Sequence, residues 1–404
     1  MSYESIDAGN TPMSSALAHK LLLRATRGIE YGQLIVKTPA GRTQVLGHLG
    51  FGPNAILHIH DWKFLWRLLT SWDVGLAESY MAGEWSSPDL PALLNLLCRN
   101  ARMSASSHTM GLMRSLPRLG HALNRNTRRG SRRNIAAHYD LGNAFYAQWL
   151  DGSLSYSSAL YRNGGQTLEN AQQEKLNRIL ELLDLSGKER VLEIGCGWGG
   201  LAEQILDRYG CDLTALTLSS EQRDYTQVRL RRHIEQKNCD LRLQDYRDAD
   251  GAYDRVVSIE MLEAVGESYW PVYFEKLRER LTPEGIAVLQ VITIGEEHFE
   301  TYRKYPDFIQ KYIFPGGMLP TVEIVKQQIE RSGMKLISSE LFGNSYARTL
   351  IDWRNRFQSA WTNIEALGFD SRFKRMWEYY LAYCQAGFEA DVLNVGLYKI
   401  YRAS

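Results

Sequence analysis

An open α/β sheet preceded by a smaller α+β unit is the fold this sequence predicts, on three observations. From about residue 134 onward, apolar strand-like runs alternate with helical stretches, the pattern of a largely parallel sheet covered by helices. Seven such runs fall near 190–194, 212–217, 240–244, 254–259, 285–292, 335–341 and 394–401. The first ends in a glycine-packed turn, VLEIGCGWGG (191–200), which leads into a helix beginning near Leu201. In sheets of this kind ligands lie over the carboxyl ends of the strands. The seventh run, VGLYKIY, follows a long helical region (Arg372 to Phe388) and reads as an antiparallel strand beside the sheet.

Residues 1–98 form the predicted α+β unit. YGQLIVKTP, RTQVLGHLG and AILHIHD have strand character with Gly and Pro punctuation. WKFLWRLLTSW and DLPALLNLLC then read as helices with one apolar face. His58 and His60 lie two apart on a strand and share a face, but no third ligand is near, so packing or surface roles are expected and no metal. Residues 99–133 read as a basic linker, with nine arginines from Arg99 to Arg133 and no Asp or Glu. Such a run is either a solvated linker or an anchor for an anionic membrane surface, where each basic residue contributes about 1 kcal/mol. Leu112, Met113, Leu116, Leu119 and Leu123 within it follow roughly helical spacing, as a segment lying on a membrane would. No aromatic residue interleaves the arginines, which argues against nucleic acid. Residues 134–404 make up the sheet domain. Five scattered cysteines without CxxC spacing point to a reducing compartment. With no signal pattern in MSYESIDAGN and no run of 18 apolar residues, a cytoplasmic location is expected.

The glycine turn implies a nucleotide-like ligand. Gly195 and Gly197 let backbone amides approach closely, and the following helix presents unpaired N–H groups. Gly195, Gly197 and Gly200 also fit GxGxxG, but a dinucleotide site expects an acid at the tip of the second strand. That strand ends instead in Thr217, Leu218 and Ser219, with Gln222 just beyond. Glu193 inside the first strand suits a cationic ligand, and Asp245 with Tyr246 after the third strand offers an acceptor and a stacking surface for adenine. Together these favour S-adenosyl-L-methionine over a nicotinamide cofactor.

Seven segments then resemble, in order, the motifs of the cyclopropane-fatty-acyl-phospholipid synthases, with the mycolic acid cyclopropane synthases more distant: AHYDLGNAFYAQWLDGSLSYSSALY, VLEIGCGWGGLAEQIL, LTLSSEQ, LQDYRD, IEMLEAVG, YIFPGGMLP and FGNSYARTL. GLAESYMAGEW (75–85) is similar to the N-terminal domain of the longer bacterial members. The resemblance implies a Rossmann-like class I methyltransferase sheet and transfer of the adenosylmethionine methyl group to a cis double bond of a lipid acyl chain. It implies a cofactor set of Tyr139, Tyr156, Ser157, Gly195, Gly197, Thr217, Leu218, Gln222 and Asp245, and an enzyme peripheral to the inner face of the membrane. It also implies pairing into a homodimer, as longer members often do. Tyr312, Phe314, Pro315 and Gly317 look like a loop closing over the acyl chain, with plain core an equal reading of the two aromatics.

An alkene is a weak nucleophile, so it must be held in line with the methyl group with water excluded. Transfer leaves a carbocation, and loss of a proton from the new methyl closes the ring. In the family the base is a bicarbonate held by a cysteine, a glutamate, a histidine, a tyrosine and the backbone amide of an isoleucine. The resemblance places these on Ser158, Glu263, Gln290, Tyr346 and Ile292, so the cysteine and the histidine are replaced. Serine and glutamine still donate hydrogen bonds, so a bicarbonate site is retained as an expectation. The alternative is proton loss at a neighbouring carbon, giving a methyl-branched or methylene-bearing chain. Glu260 is a further carboxylate for that step, or else a structural acid.

Overall fold

The computed structural model describes residues 29–48, 50, 52–104 and 141–403. The chain divides into two compact units, residues 1–115 and 116–404.

In the first unit β1 (Gln33–Lys37), β2 (Thr43–Gly47), β3 (Asn54–Ile59) and the short β4 (Trp85–Ser86) form a sheet in the order β2-β1-β3-β4. The hairpin β1–β2 is antiparallel, whereas β1 and β3 run parallel. Helices α1 (Lys63–Met81) and α2 (Leu90–Ser104) complete the unit. Trp85 is fully buried against Phe64 and Tyr80, and its indole N–H donates to the Leu76 carbonyl and to Ser79. Helix α2 carries the unit beyond the boundary expected at 98. The reason is Asn100, whose Oδ1 accepts from the Glu30 and Tyr31 amides and whose Nδ2 donates to the Tyr31 and Leu96 carbonyls. A buried amide side chain with both ends satisfied pins the helix to the chain entering β1. His60 lies within 2.7 Å of the Ser86 hydroxyl. The rest of the basic run, from residue 105, lies outside the described residues. Among the described residues no helix is long and apolar enough to cross a membrane.

The second unit is built on seven strands: β5 (Arg190–Ile194), β6 (Asp212–Thr217), β7 (Cys239–Leu243), β8 (Tyr253–Ile259), β9 (Leu281–Ile294), β10 (Lys335–Leu341) and β11 (Leu393–Tyr401). Their order is β10-β11-β9-β8-β5-β6-β7, with β5 to β9 mutually parallel. All seven predicted runs are strands. β11 is antiparallel as predicted, but it lies inside the sheet, paired with both β9 and β10. Its middle residues are buried, while β10 is largely exposed along its length, so β10 takes the edge. A solvated strand loses less at an edge than an apolar one would.

From β5 the chain winds outward through β6 and β7, then returns to place β8 on the other side of β5. This is a topological switch point, where the loops leaving β5 and β8 diverge and a crevice opens above them. One face of the sheet packs a core that includes Leu192, Ile194, Val256, Leu289, Phe274 and Ile329. Along β5, Glu193 alternates with Leu192 and Ile194 and so faces away from that core. Helices α3 (Asn143–Tyr146) and α4 (Leu168–Leu183) precede β5 in the chain. Thr167 caps α4 by accepting from the Asn170 amide, and Ser219 caps α6 (Ser220–Arg229), which follows α5 (Gly200–Tyr209).

Candidate functional site

The crevice has a cofactor side and a reaction side. On the first, the turn after β5 is fastened to the end of β6 by the Gly195 and Cys196 amides, which both donate to the Leu216 carbonyl. Gly195 and Gly197 have φ of +85° and +53°. A side chain at Gly195 would meet Met261 at 3.0 Å, whereas the space beyond Gly197 is open to at least 4 Å. Only glycine combines that backbone with an open approach for a ligand. Glu193, 3% exposed, has its Oε2 without a partner among the described residues. Burial pushes its carboxyl up to about 8. An orphaned buried acid beside an open glycine turn fits a cationic nucleoside ligand, so the residues present suit adenosylmethionine. Thr217 donates to Gln222 Oε1 at 2.9 Å and accepts from the Ser219 amide, shaping the rim with the half-buried Leu218.

Three of the residues expected on this side have protein partners of their own. Asp245 is not held open, since Arg247 grips both its oxygens at 2.8 and 2.6 Å. Tyr246 is a core residue, set edge-on to Tyr273 and covered by Arg247, rather than a free stacking face. The Ser157 hydroxyl accepts from Lys175 Nζ at 2.8 Å and thus serves that lysine. Tyr139 lies outside the described residues.

On the reaction side an aromatic wall runs from the glycine turn to Tyr346, which reaches one of two half-buried glutamates. Tyr156 packs on Tyr146, which packs on Trp198 of the turn, and its hydroxyl meets that of Tyr380 at 2.8 Å. Trp353, Phe314 and Tyr346 extend the wall. Phe314 therefore joins this lining, whereas Tyr312 packs beside Phe308. The loop carrying Phe314 and Gly317 is tied to the site through the Met318 amide, which donates to the Glu263 carbonyl.

The two carboxyls are Glu260 and Glu263. Glu260 Oε1 accepts from the Ser158 amide at 2.8 Å and from Gln290 Nε2 at 2.7 Å, and its Oε2 accepts from the Tyr346 hydroxyl at 2.8 Å. Three of the residues expected around an anion thus converge on Glu260. Ser158 does so through its main chain, because its hydroxyl turns away to the Ala159 carbonyl. Glu263 Oε1 accepts from the Ile292 amide at 2.5 Å, and its Oε2 has no partner among the described residues. Burial, with the neighbouring Glu260 charge, pushes Glu263 up to about 8. Burial also raises Glu260, against three donors and the charge of Lys175.

Lys175 escaped the sequence reading. It is fully buried on α4, and burial pulls its ammonium down to about 8. The available signal was its place with Gln172 on the stripe formed by Leu168, Ala171, Leu176 and Ile179, where a polar residue needs a reason. Trp353, two turns from Tyr346 on the helix Gly343–Ser359, was legible in the same way.

The mycolic acid cyclopropane synthetase family matches residues 126–397. Tuberculostearic acid methyltransferase UfaA1 of Mycobacterium tuberculosis is 37% identical, over 81% of this chain and 79% of that protein. The cyclopropane-fatty-acyl-phospholipid synthase of Escherichia coli K12 is 36% identical, over 86% and 89%. Mycolic acid cyclopropane synthase CmaA1, complexed with SAH and CTAB, superposes with a TM-score of 0.63 at 26% identity, covering 67% of this chain and 98% of that one. The second unit has the Rossmann-like sheet of the class I methyltransferases.

Proposed function

We propose that this chain, which belongs to the mycolic acid cyclopropane synthetase family and is an S-adenosyl-L-methionine-dependent C-methyltransferase, adds a methylene bridge across cis double bonds of unsaturated phospholipid acyl chains. The observation that carries this reading is the carboxyl pair of the half-buried Glu260 and Glu263, set beside an aromatic wall at the switch point near the glycine turn. Adenosylmethionine supplies an electrophilic methyl group when bound. The residues of the chain must then hold an apolar alkene against it, exclude water, steady a transient cation and remove a proton. Tyr156, Phe314, Trp353 and Tyr346 offer π faces, each contributing about 0.5–2 kcal/mol toward a desolvated cation. The carboxyls of Glu260 and Glu263 add negative charge where positive charge develops.

A second reading, methyl transfer without ring closure, draws on one observation: the 37% relative is known as a methyltransferase. Release of adenosylhomocysteine separates either reading from small-molecule methylation. Release should require vesicles of cis-unsaturated phospholipid and be absent with saturated ones. Equal release without lipid would remove lipid as the substrate.

We place the enzyme on the cytoplasmic face of an anionic membrane, held by the arginines of 99–133. Exposed charge pairs at a membrane surface are screened within about 8–10 Å at ordinary ionic strength. Binding to anionic vesicles should therefore weaken by about tenfold or more from 0.1 to 0.5 M salt, an estimate for several screened contacts at about 1 kcal/mol each. Salt-insensitive binding would exclude the arginines as the anchor. The homodimer implied by the resemblance is tested by sedimentation of the full chain.

A further inference from the structure

We propose that the Glu260 carboxylate is the proton acceptor of the reaction, built into the chain in the place that a bound bicarbonate would take. The inference rests on the lipid reading above and adds the identity of the base. Ser158, Gln290 and Tyr346 direct a main-chain amide, a side-chain amide and a hydroxyl at this one carboxylate, at 2.8, 2.7 and 2.8 Å. The remaining donor expected for an anion, the Ile292 amide, is taken by Glu263. The donors of Ser158, Gln290, Tyr346 and Ile292 are thus all engaged by carboxyls of the chain, and a second anion would stand beside the Glu260 charge and be repelled by it. Oε1 carries two of the three bonds and Oε2 one, so Oε2 retains the capacity to take up a proton.

The backbone points the same way. Glu260 has a φ of +49°, in the left-handed region, held by its amide donating to the Gln290 carbonyl at 2.8 Å. Glycine would make this turn without strain. A long acid kept in a strained conformation by a surrounding network is the mark of a functional position. The buried Lys175 supplies a nearby positive charge that favours the ionised form.

The step balances without a co-reactant. After methyl transfer a C–H bond of the new methyl breaks, its electron pair forms the C–C bond that closes the ring, and the proton passes to Glu260 Oε2. Glu260 then returns that proton to solvent. The net products are adenosylhomocysteine, the cyclopropane chain and one proton.

Glu260→Gly and Glu260→Gln test this, with unchanged adenosylmethionine affinity and thermal midpoint as controls for folding. In buffer stripped of carbon dioxide, the wild-type rate should be unchanged, and both variants should lose activity at least a thousandfold. Carbon-13 NMR of labelled bicarbonate with adenosylhomocysteine present, which needs no lipid turnover, should show binding to Glu260→Gly and none to the wild type. Added bicarbonate should then restore at least tenfold of the lost rate to the glycine variant. Wild-type turnover that collapses without bicarbonate, or wild-type protein that binds it, would overturn the proposal. So would a glutamine variant with full activity. A wild type that binds no bicarbonate yet makes no lipid product would refute the lipid reading instead.

Discussion

Glu263→Gln is expected to lower turnover by about a hundredfold to ten-thousandfold, the range for a group acting on charge or protons in the transition state. Adenosylmethionine affinity should stay within about twofold. Glutamine has nearly the shape of glutamic acid and keeps an oxygen for the Ile292 amide, so the fold has little reason to change. What is lost is the capacity to ionise. In the free protein Glu263 titrates near 8, because burial and the Glu260 charge oppose a second negative charge. A cation developing beside it reverses that balance, and each unit of displaced pKa corresponds to about 1.4 kcal/mol, or tenfold. The kcat/KM of the wild type should accordingly rise with pH up to about 8, and that limb should vanish in the variant. A variant with full activity would remove Glu263 from the mechanism.

The second large effect is expected at Glu193. Its carboxyl is buried, lacks a partner for Oε2 among the described residues, and titrates near 8 instead of 4.5. A bound cation favours its ionised form, so wild-type affinity for adenosylmethionine should rise as pH climbs toward 8. Glu193→Gln should bind at least about tenfold more weakly, with no such slope, as calorimetry would show. Stability should move in the opposite direction. The unfolded chain ionises this group from about 4.5 upward and the folded chain only near 8, so the folded state loses stability as pH rises between them. The variant escapes that loss. Its unfolding free energy should match the wild type below pH 4.5 and exceed it increasingly up to pH 8, by an amount on the order of a few kcal/mol. An unchanged affinity would mean that Glu193 does not face the sulfonium end.

The strands and the glycine turn were legible because both are local properties, apolar runs punctuated by Gly and a spacing that only a tight turn uses. The position of β11 inside the sheet was not, since the choice between an edge and an interior place depends on how remote strands compare in burial. The same limit applied at the site. Glu263, Gln290, Ile292 and Tyr346 were located by motif, and the structure brings all four together. That Glu260 sits at their centre depends on one left-handed backbone angle and on donors from three distant segments, none of it visible as a pattern. The surroundings of Tyr246 and Ser157 were hidden for a related reason: both are buried, and the burial of a tyrosine or serine beside a ligand loop is decided by neighbours from elsewhere, here Tyr273 and Lys175.

The central claim is that the carboxyl pair behind the aromatic wall converts an acyl double bond into a ring. Anionic vesicles of cis-unsaturated phospholipid, incubated with the full chain and adenosylmethionine, should be extracted and their acyl chains examined by proton NMR. The predicted result is a set of upfield cyclopropane protons with matching loss of olefinic signal. A new methyl or methylene signal without ring protons would contradict ring closure and make this enzyme a branching methyltransferase.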